Sequence, residues 1–356
     1  MSDYLALQDY IPESQLVVPT TDVRRARFPV IDAHNHLSQL GECCEDANRR
    51  LLHPRQLFDK LDEHNIHGIV DADGFVSSRL EPALASYKHA YPGRVAVLAH
   101  LDWSCCREPG WPDALRRQLE RAIALGADGL KVSKALGLSV RDESAQLVSL
   151  DDHRLDAVWE TAGSAGVPVL IHVADPVAFF SPADRHNERW DELHACPGWS
   201  WYGPGRPTFR ELIEALISLV ERHPTTTFQT AHVGCYAENL GFVADQLLRP
   251  HPNVYTDISE RIAELGRQPY TARGFCIEFQ DRILFGTDRP PLGPWYPYYF
   301  RFLETYDECF LPGPENPPRQ GRWGIYGLGL PDDVLAKVYH LNAERLYRSL
   351  RCQSDP

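Results

Sequence analysis

The stretch Pro29-Val30-Ile31-Asp32-Ala33-His34-Asn35-His36 is an apolar run that ends in two histidines one residue apart. Alternate side chains of an extended strand point the same way, so the spacing predicts His34 and His36 on one face with Asp32 below them. Two imidazoles at the end of a strand can grip a divalent metal through their ring nitrogens. A pair of surface histidines satisfies the same pattern. The metal reading therefore stands only if the chain supplies further ligands at matching positions.

Downstream, apolar strands and helical segments alternate. The predicted strands begin near Ile66, Arg94, Gly129, Val167, Thr226, Asn253 and Arg282. Helices are predicted over 54–65, 81–91, 112–125, 152–165, 209–222 and 331–350; those at 112–125 and 209–222 carry apolar residues at helical spacing, and the one at 152–165 ends at Gly166. Eight strands separated by helices imply a parallel sheet, and eight is the number that closes a (β/α)8 TIM barrel. An open doubly wound sheet is the rival, but no Gly-rich phosphate loop follows the first strand. Long loops follow strands five and eight, at 174–206 and 289–330, where such a barrel builds its active site. Residues 1–28 are polar with scattered prolines and read as an N-terminal arm, so the barrel is assigned to 29–356.

The 356 residues are 43% hydrophobic and 24% charged, the composition of a globular protein. A net charge of −13 argues against nucleic acid as the main partner, because phosphate binding needs a basic face. No apolar run reaches the length of a membrane span, and the N-terminus lacks a signal-peptide core. The nine cysteines include the pairs Cys43-Cys44 and Cys105-Cys106 but no C-x-x-C. The expectation is free thiols and a cytoplasmic protein, with zinc at Cys43 and Cys44 disfavoured for want of partners at finger spacing.

Four predicted strands end in metal-binding or acid/base residues: His34 and His36, His172, His232 and Asp288. Each has a structural alternative, such as a core histidine or a turn-capping aspartate. In a parallel barrel, however, all strand C-termini meet at one mouth, and for all of these residues to fall at strand ends by chance is improbable.

The order His-x-His on strand one, His on five, His on six and Asp on eight resembles the amidohydrolase superfamily. The phrases Ala231-His232-Val233-Gly234, Phe285-Gly286-Thr287-Asp288 and Leu341-Asn342-Ala343-Glu344-Arg345 are similar to its second amidohydrolase family, which includes decarboxylases of aromatic and muconate-type acids, lactonases and hydratases. The resemblance runs from about Val30 to Leu350. It implies that His34, His36, His172 and Asp288 hold one divalent metal, with zinc suited to this donor set and manganese also used in such families. It further implies that His232 is an acid/base group and that Asp288 can accept the proton of the attacking water.

Strand alternation places Lys131 inside the barrel, where an unpaired ammonium is costly. In binuclear relatives a strand-four lysine is carboxylated and bridges two metals. The readings favoured here are one metal and an ammonium that anchors a substrate carboxylate, with a buried salt bridge as the alternative; Lys134 falls at the rim. Arg261, after strand seven, suits a planar carboxylate or a salt bridge to Glu260 or Glu264. Asp175 lies three residues past His172 and is placed near the substrate.

The expected activity is hydrolysis of a small carboxylate-bearing lactone or amide by metal-activated water. The alternative, with the same ligands, is non-oxidative decarboxylation of an aromatic or muconate-type acid. A barrel that binds ligand without turnover is disfavoured, since every expected ligand position is filled. The implied partner is a small-molecule substrate, with no nucleic acid and no membrane, and a homo-oligomer is left open.

Overall fold

The computed structural model describes residues 5–37, 53–75 and 80–352. Cys43 and Cys44 lie outside them. Eight parallel strands form one sheet in strict sequence order: β1 Val30–Asn35, β2 Ile66–Phe75, β3 Val95–Ala99, β4 Gly129–Val132, β5 Val169–Ile171, β6 Phe228–Thr230, β7 Val254–Asp257 and β8 Ile283–Leu284. Closure comes from the residues just past β8. Ala33 donates its backbone N–H to the Phe285 carbonyl at 2.9 Å, and Asp288 donates to the His34 carbonyl at 2.8 Å. The (β/α)8 barrel expected from the sequence is the fold observed, and no helix of the described residues is long and apolar enough to cross a membrane.

Two apolar layers hold it together. Leu130, Val132, Val169 and Ile171 face outward into a large cluster shared with the surrounding helices. Ile31, Ala33, Val70, Leu98, Leu170 and Leu284 belong to a smaller cluster, which Tyr347 and Leu350 of the C-terminal segment complete. Close strand packing leaves no room for a side chain at Gly129. A Cβ there would lie 2.6 Å from the Pro168 carbonyl oxygen and 3.0 Å from Leu98 Cδ2.

The helices follow the apolar periodicity with instructive departures. Phe209–Arg222 forms as expected, opened by a capping box in which Thr208 and Glu211 satisfy each other's backbone N–H groups. The first helix spans Pro54–Glu63 and stops short of Asn65, which takes a left-handed φ of 68° to turn the chain into β2. The segment predicted over 81–91 is α-helical only at Leu80–Ala83 and continues as π-helical turns over Leu84–His89. The last helix is likewise interrupted, with π turns at Lys337–Leu341 between Asp332–Ala336 and Asn342–Leu346, and it ends before Leu350.

The two long loops carry structure of their own. Residues 174–206 contain a helix at Trp190–Ala195, and 289–330 contain one at Tyr296–Glu304. The latter was hidden by its prolines and aromatics. It is held by packing of Tyr296, Tyr299 and Phe300 on Phe285 rather than by helix propensity. Residues 5–29 have no regular structure beyond a 3-10 turn at Leu7–Asp9, and the Thr21 backbone N–H is anchored to Asp307 at 2.6 Å.

Gly129→Ala should lower stability by about 1–3 kcal/mol, the usual cost of overpacking a well-filled core. A thermal melt that matched the parent protein's would show that β4 and β5 can separate without cost.

Candidate metal centre at the barrel mouth

β1 is not a plain alternating strand. Its pairing with β2 is irregular between Asp32 and Asn35. Asp32 accepts the His34 backbone N–H at 3.3 Å. Its carboxylate turns to Thr287, accepting from Oγ1 at 2.7 Å and from the backbone N–H at 3.1 Å, and to the Tyr296 hydroxyl at 3.0 Å. Burial pushes its pKa up to about 6. This residue ties β1 to the loop after β8.

The two histidines are each oriented by a carboxylate that the sequence reading did not single out. His34 Nδ1 is 3.1 Å from Asp257 Oδ2, and His36 Nδ1 is 2.7 Å from Asp73 Oδ1. A carboxylate only accepts, so both Nδ1 atoms carry a proton; His34 keeps its lone pair on Nε2, whereas His36 also holds a proton on Nε2, which it donates to Asp288 and must give up to a metal. His36 Nε2 lies 3.0 Å from Asp288 Oδ1, and His34 Nε2 lies 3.9 Å from Asp288 Oδ2. Burial opposes charge on His36, but Asp73 and Asp288 outweigh it and push its pKa up to about 10.

His232 is delivered by an unusual turn. His232, Val233, Gly234 and Cys235 all have φ between 58° and 64°, so the chain leaves β6 in one left-handed turn. L residues avoid this conformation, Val most of all, at roughly 1–2 kcal/mol each. The Asp257 carboxylate and the Thr256 hydroxyl accept the backbone N–H groups of His232 and Gly234, both at 3.0 Å, and hold the turn.

Ser259 fixes the tautomer of His232. Its hydroxyl donates to Asp257 Oδ1 at 2.5 Å, which leaves Oγ to accept from His34 Nδ1 at 3.0 Å and His232 Nδ1 at 2.9 Å. The Ser259 carbonyl also accepts from His232 Nδ1 at 2.9 Å. His232 Nε2 is thus the basic nitrogen, 3.5 Å from Asp288 Oδ2. Burial, reinforced by the neighbouring His172, Arg261 and His34, holds this imidazole well below the usual histidine range.

Candidate ligand atoms of His34, His232 and Asp288 all fall within 4.8 Å of one another. Borderline nitrogen donors, a carboxylate held ionised and carboxylate-backed histidines together suit a divalent metal, which would replace the Lys131 ammonium at His34 Nε2. His36 borders this trio through Asp288. His172 forms the next part of the wall, its ring centroid 4.4 Å from that of His232, with Nε2 turned to the Ala174 carbonyl at 3.2 Å.

The remaining sequence candidates also reach this region. Lys131 is buried inside the barrel, its Nζ donating to His34 Nε2 at 2.9 Å, and burial lowers its pKa. Asp175 is occupied: Lys134 Nζ lies 2.6 Å away, Trp201 Nε1 donates at 2.6 Å, and His172 Nε2 stands 3.7 Å off. Its carboxylate is positioned to hold the wall around His172. Arg261 is buried and forms neither expected salt bridge, because Glu264 pairs with Arg189 and Glu260 with Arg289. Its Nη1 donates to the Glu260 carbonyl at 2.8 Å, and its Nε has no partner. Among the described residues no carboxylate stands within ion-pair distance of it.

The family model described as Amidohydrolase matches residues 31–349. The chain belongs to the amidohydrolase family. No curated protein matches it in sequence. Solved structures that resemble it include 2,6-dihydroxybenzoate decarboxylase from Rhizobium, at 17% identity and a TM-score of 0.57 over 90% of this chain and 99% of that one. A dihydroxybenzoic acid decarboxylase from a Polaromonas species, with bound manganese and 2-nitroresorcinol, matches at 17% identity and a TM-score of 0.57, covering 92% of this chain and 98% of that one. The 5-carboxyvanillate decarboxylase from Sphingomonas paucimobilis matches at 15% and 0.54, covering 90% and 99%. At such identities the likeness establishes the shared fold of these amidohydrolase relatives.

Asp257→Asn should weaken divalent-metal affinity by about 10- to 100-fold, because the neutral amide no longer raises the basicity of His34. Competition for zinc against a chromophoric chelator measures this. Unchanged affinity would mean that Asp257 serves only the turn after β6.

Proposed function

We propose that this amidohydrolase is a metal-dependent hydrolase of a small, carboxylate-bearing substrate, a lactone or an amide. The observation that carries the reading is the protonation pattern of His232. With its proton on Nδ1 and its lone pair on Nε2, 3.5 Å from Asp288, the imidazole offers a free nitrogen to a proton, and the Asp288 carboxylate favours the imidazolium that burial alone opposes. Attack by water needs such a base, whereas protonating the carbon of a departing carboxylate needs an acid.

His34, His36, His172 and Asp288 would hold the metal. When bound, it supplies a Lewis acid that polarises the substrate carbonyl and lowers the pKa of water. His232 Nε2 accepts the proton of the attacking water, and Asp288 holds that histidine's partner side of the site in register. The protonated imidazole then returns the proton to the leaving alkoxide or amine. The lone pair of His34 Nε2 serves one partner at a time, so with a metal held there the Lys131 ammonium would be free of that histidine. Lys131 and the unpaired Arg261 then face the substrate anion, where charge-assisted hydrogen bonds are strongest. Zinc fits the imidazole-rich donor set best, and manganese is the alternative.

Two measurements test this. His232→Asn should retain near-normal metal content and lose turnover by roughly 10²- to 10⁴-fold; loss of metal together with activity would make His232 a ligand. The reaction class is read by offering carboxylated lactones and amides beside dihydroxybenzoates and 5-carboxyvanillate, following acid release and carbon dioxide separately. Hydrolysis without carbon dioxide is expected. Carbon dioxide from the aromatic acids, with the lactones and amides untouched, would replace this reading by decarboxylation.

A further inference from the structure

At the opposite end of the barrel, three side chains of different donor chemistry meet. His340 and Glu344 stand one helical turn apart on the last helical segment, where residues four apart share a face. Cys352 is brought to them from beyond the helix. The Leu350 region bridges to Gly93, and Arg351 donates its backbone N–H to the Gly93 carbonyl at 3.1 Å, just ahead of β3. This pins the segment across the entrance ends of the strands, and the Cys352 backbone N–H donates to Glu344 Oε1.

The candidate ligand atoms of His340, Glu344 and Cys352 lie within 4.8 Å of one another. His340 Nδ1 supplies an independent sign. It is buried, has no hydrogen-bond partner, and faces Glu344 Oε2 at 3.8 Å, too far for a hydrogen bond. A buried ring nitrogen without a partner is costly unless something fills the gap. An imidazole, a carboxylate and a thiol around one point make a donor set that a borderline-soft divalent cation satisfies.

We propose that His340, Glu344 and Cys352 form a second divalent-metal site, selective for zinc, on the face of the barrel away from the mouth. Binding converts the Cys352 thiol to a thiolate with release of its proton to solvent, and no electron is transferred. The bound ion fills the gap beside His340 Nδ1 and leaves a fourth position for water. It clips the segment after the last helix to that helix, so its effect is on stability rather than turnover.

The test uses the full chain, stripped with a chelator and titrated separately with Zn²⁺ alone and Co²⁺ alone. None of the ligands proposed at the barrel mouth is a cysteine, so a thiolate-to-cobalt charge-transfer band reports only a cysteine-containing site. The parent protein should show that band. Cys352→Ser should lose it, take up one zinc equivalent fewer, and keep its turnover. His34→Ala should lose the barrel metal but keep the band, so failure at one site is distinguishable from failure at the other. A parent protein without the band overturns the proposal with no variant needed. So does a Cys352→Ser protein with unchanged band and zinc content.

Discussion

The Asp257 carboxylate is the constraint on which the mouth of this barrel depends. It is fully buried at the end of β7, yet the His34 and His232 imidazoles and the Ser259 hydroxyl hold it well below the usual carboxylate range against the cost of burial. One oxygen faces His34 Nδ1 and accepts from Gln229 Nε2 at 2.8 Å, while the other accepts from Ser259 Oγ and the His232 backbone. Removing such a charge would leave several buried donors without partners at once, which costs more than any one bond contributes. The same group therefore sets a tautomer, stabilises a strained turn and joins three strands.

That strained turn is where local preference and global fold disagree. His232, Val233 and Cys235 follow β6 in left-handed conformations, and Asp288 follows β8 at φ 52°. Such conformations persist only where surroundings over-determine them, and both fall on residues of the candidate centre. Space is equally tight. A Cβ on Gly286 would come within 3.0 Å of His34 Cβ, so the strand-eight loop can approach β1 only because that residue is glycine.

The fold was legible because apolar runs and helical stripes repeat in strict alternation. His34, His36, His172, His232 and Asp288 were legible because side chains at the ends of successive parallel strands have to share one mouth. Their supports were not. Asp257 and Asp73 sit inside or at the end of strands, where nothing in spacing distinguishes a charge that orients a histidine from one that is solvated. The bonds of Asp32 depend on where the loop after β8 brings Thr287 and Tyr296, and the freedom of Arg261 on Glu264 and Glu260 having found other arginines. The helix at Tyr296–Glu304 reads as a loop because tertiary packing of its aromatics, not their propensity, makes it helical.

Gln229 extends the Asp257 network down the barrel axis, its Oε1 accepting from the Tyr347 hydroxyl at 2.6 Å. The axis is thus spanned from mouth to floor by Asp257, Gln229 and Tyr347. During synthesis His34 and His36, at the end of β1, are made more than 300 residues before Tyr347. The two ends of that polar chain cannot be joined on a growing polypeptide until the last helical segment has left the ribosome. The orientation of His34 by that network is therefore completed long after His34 itself is made.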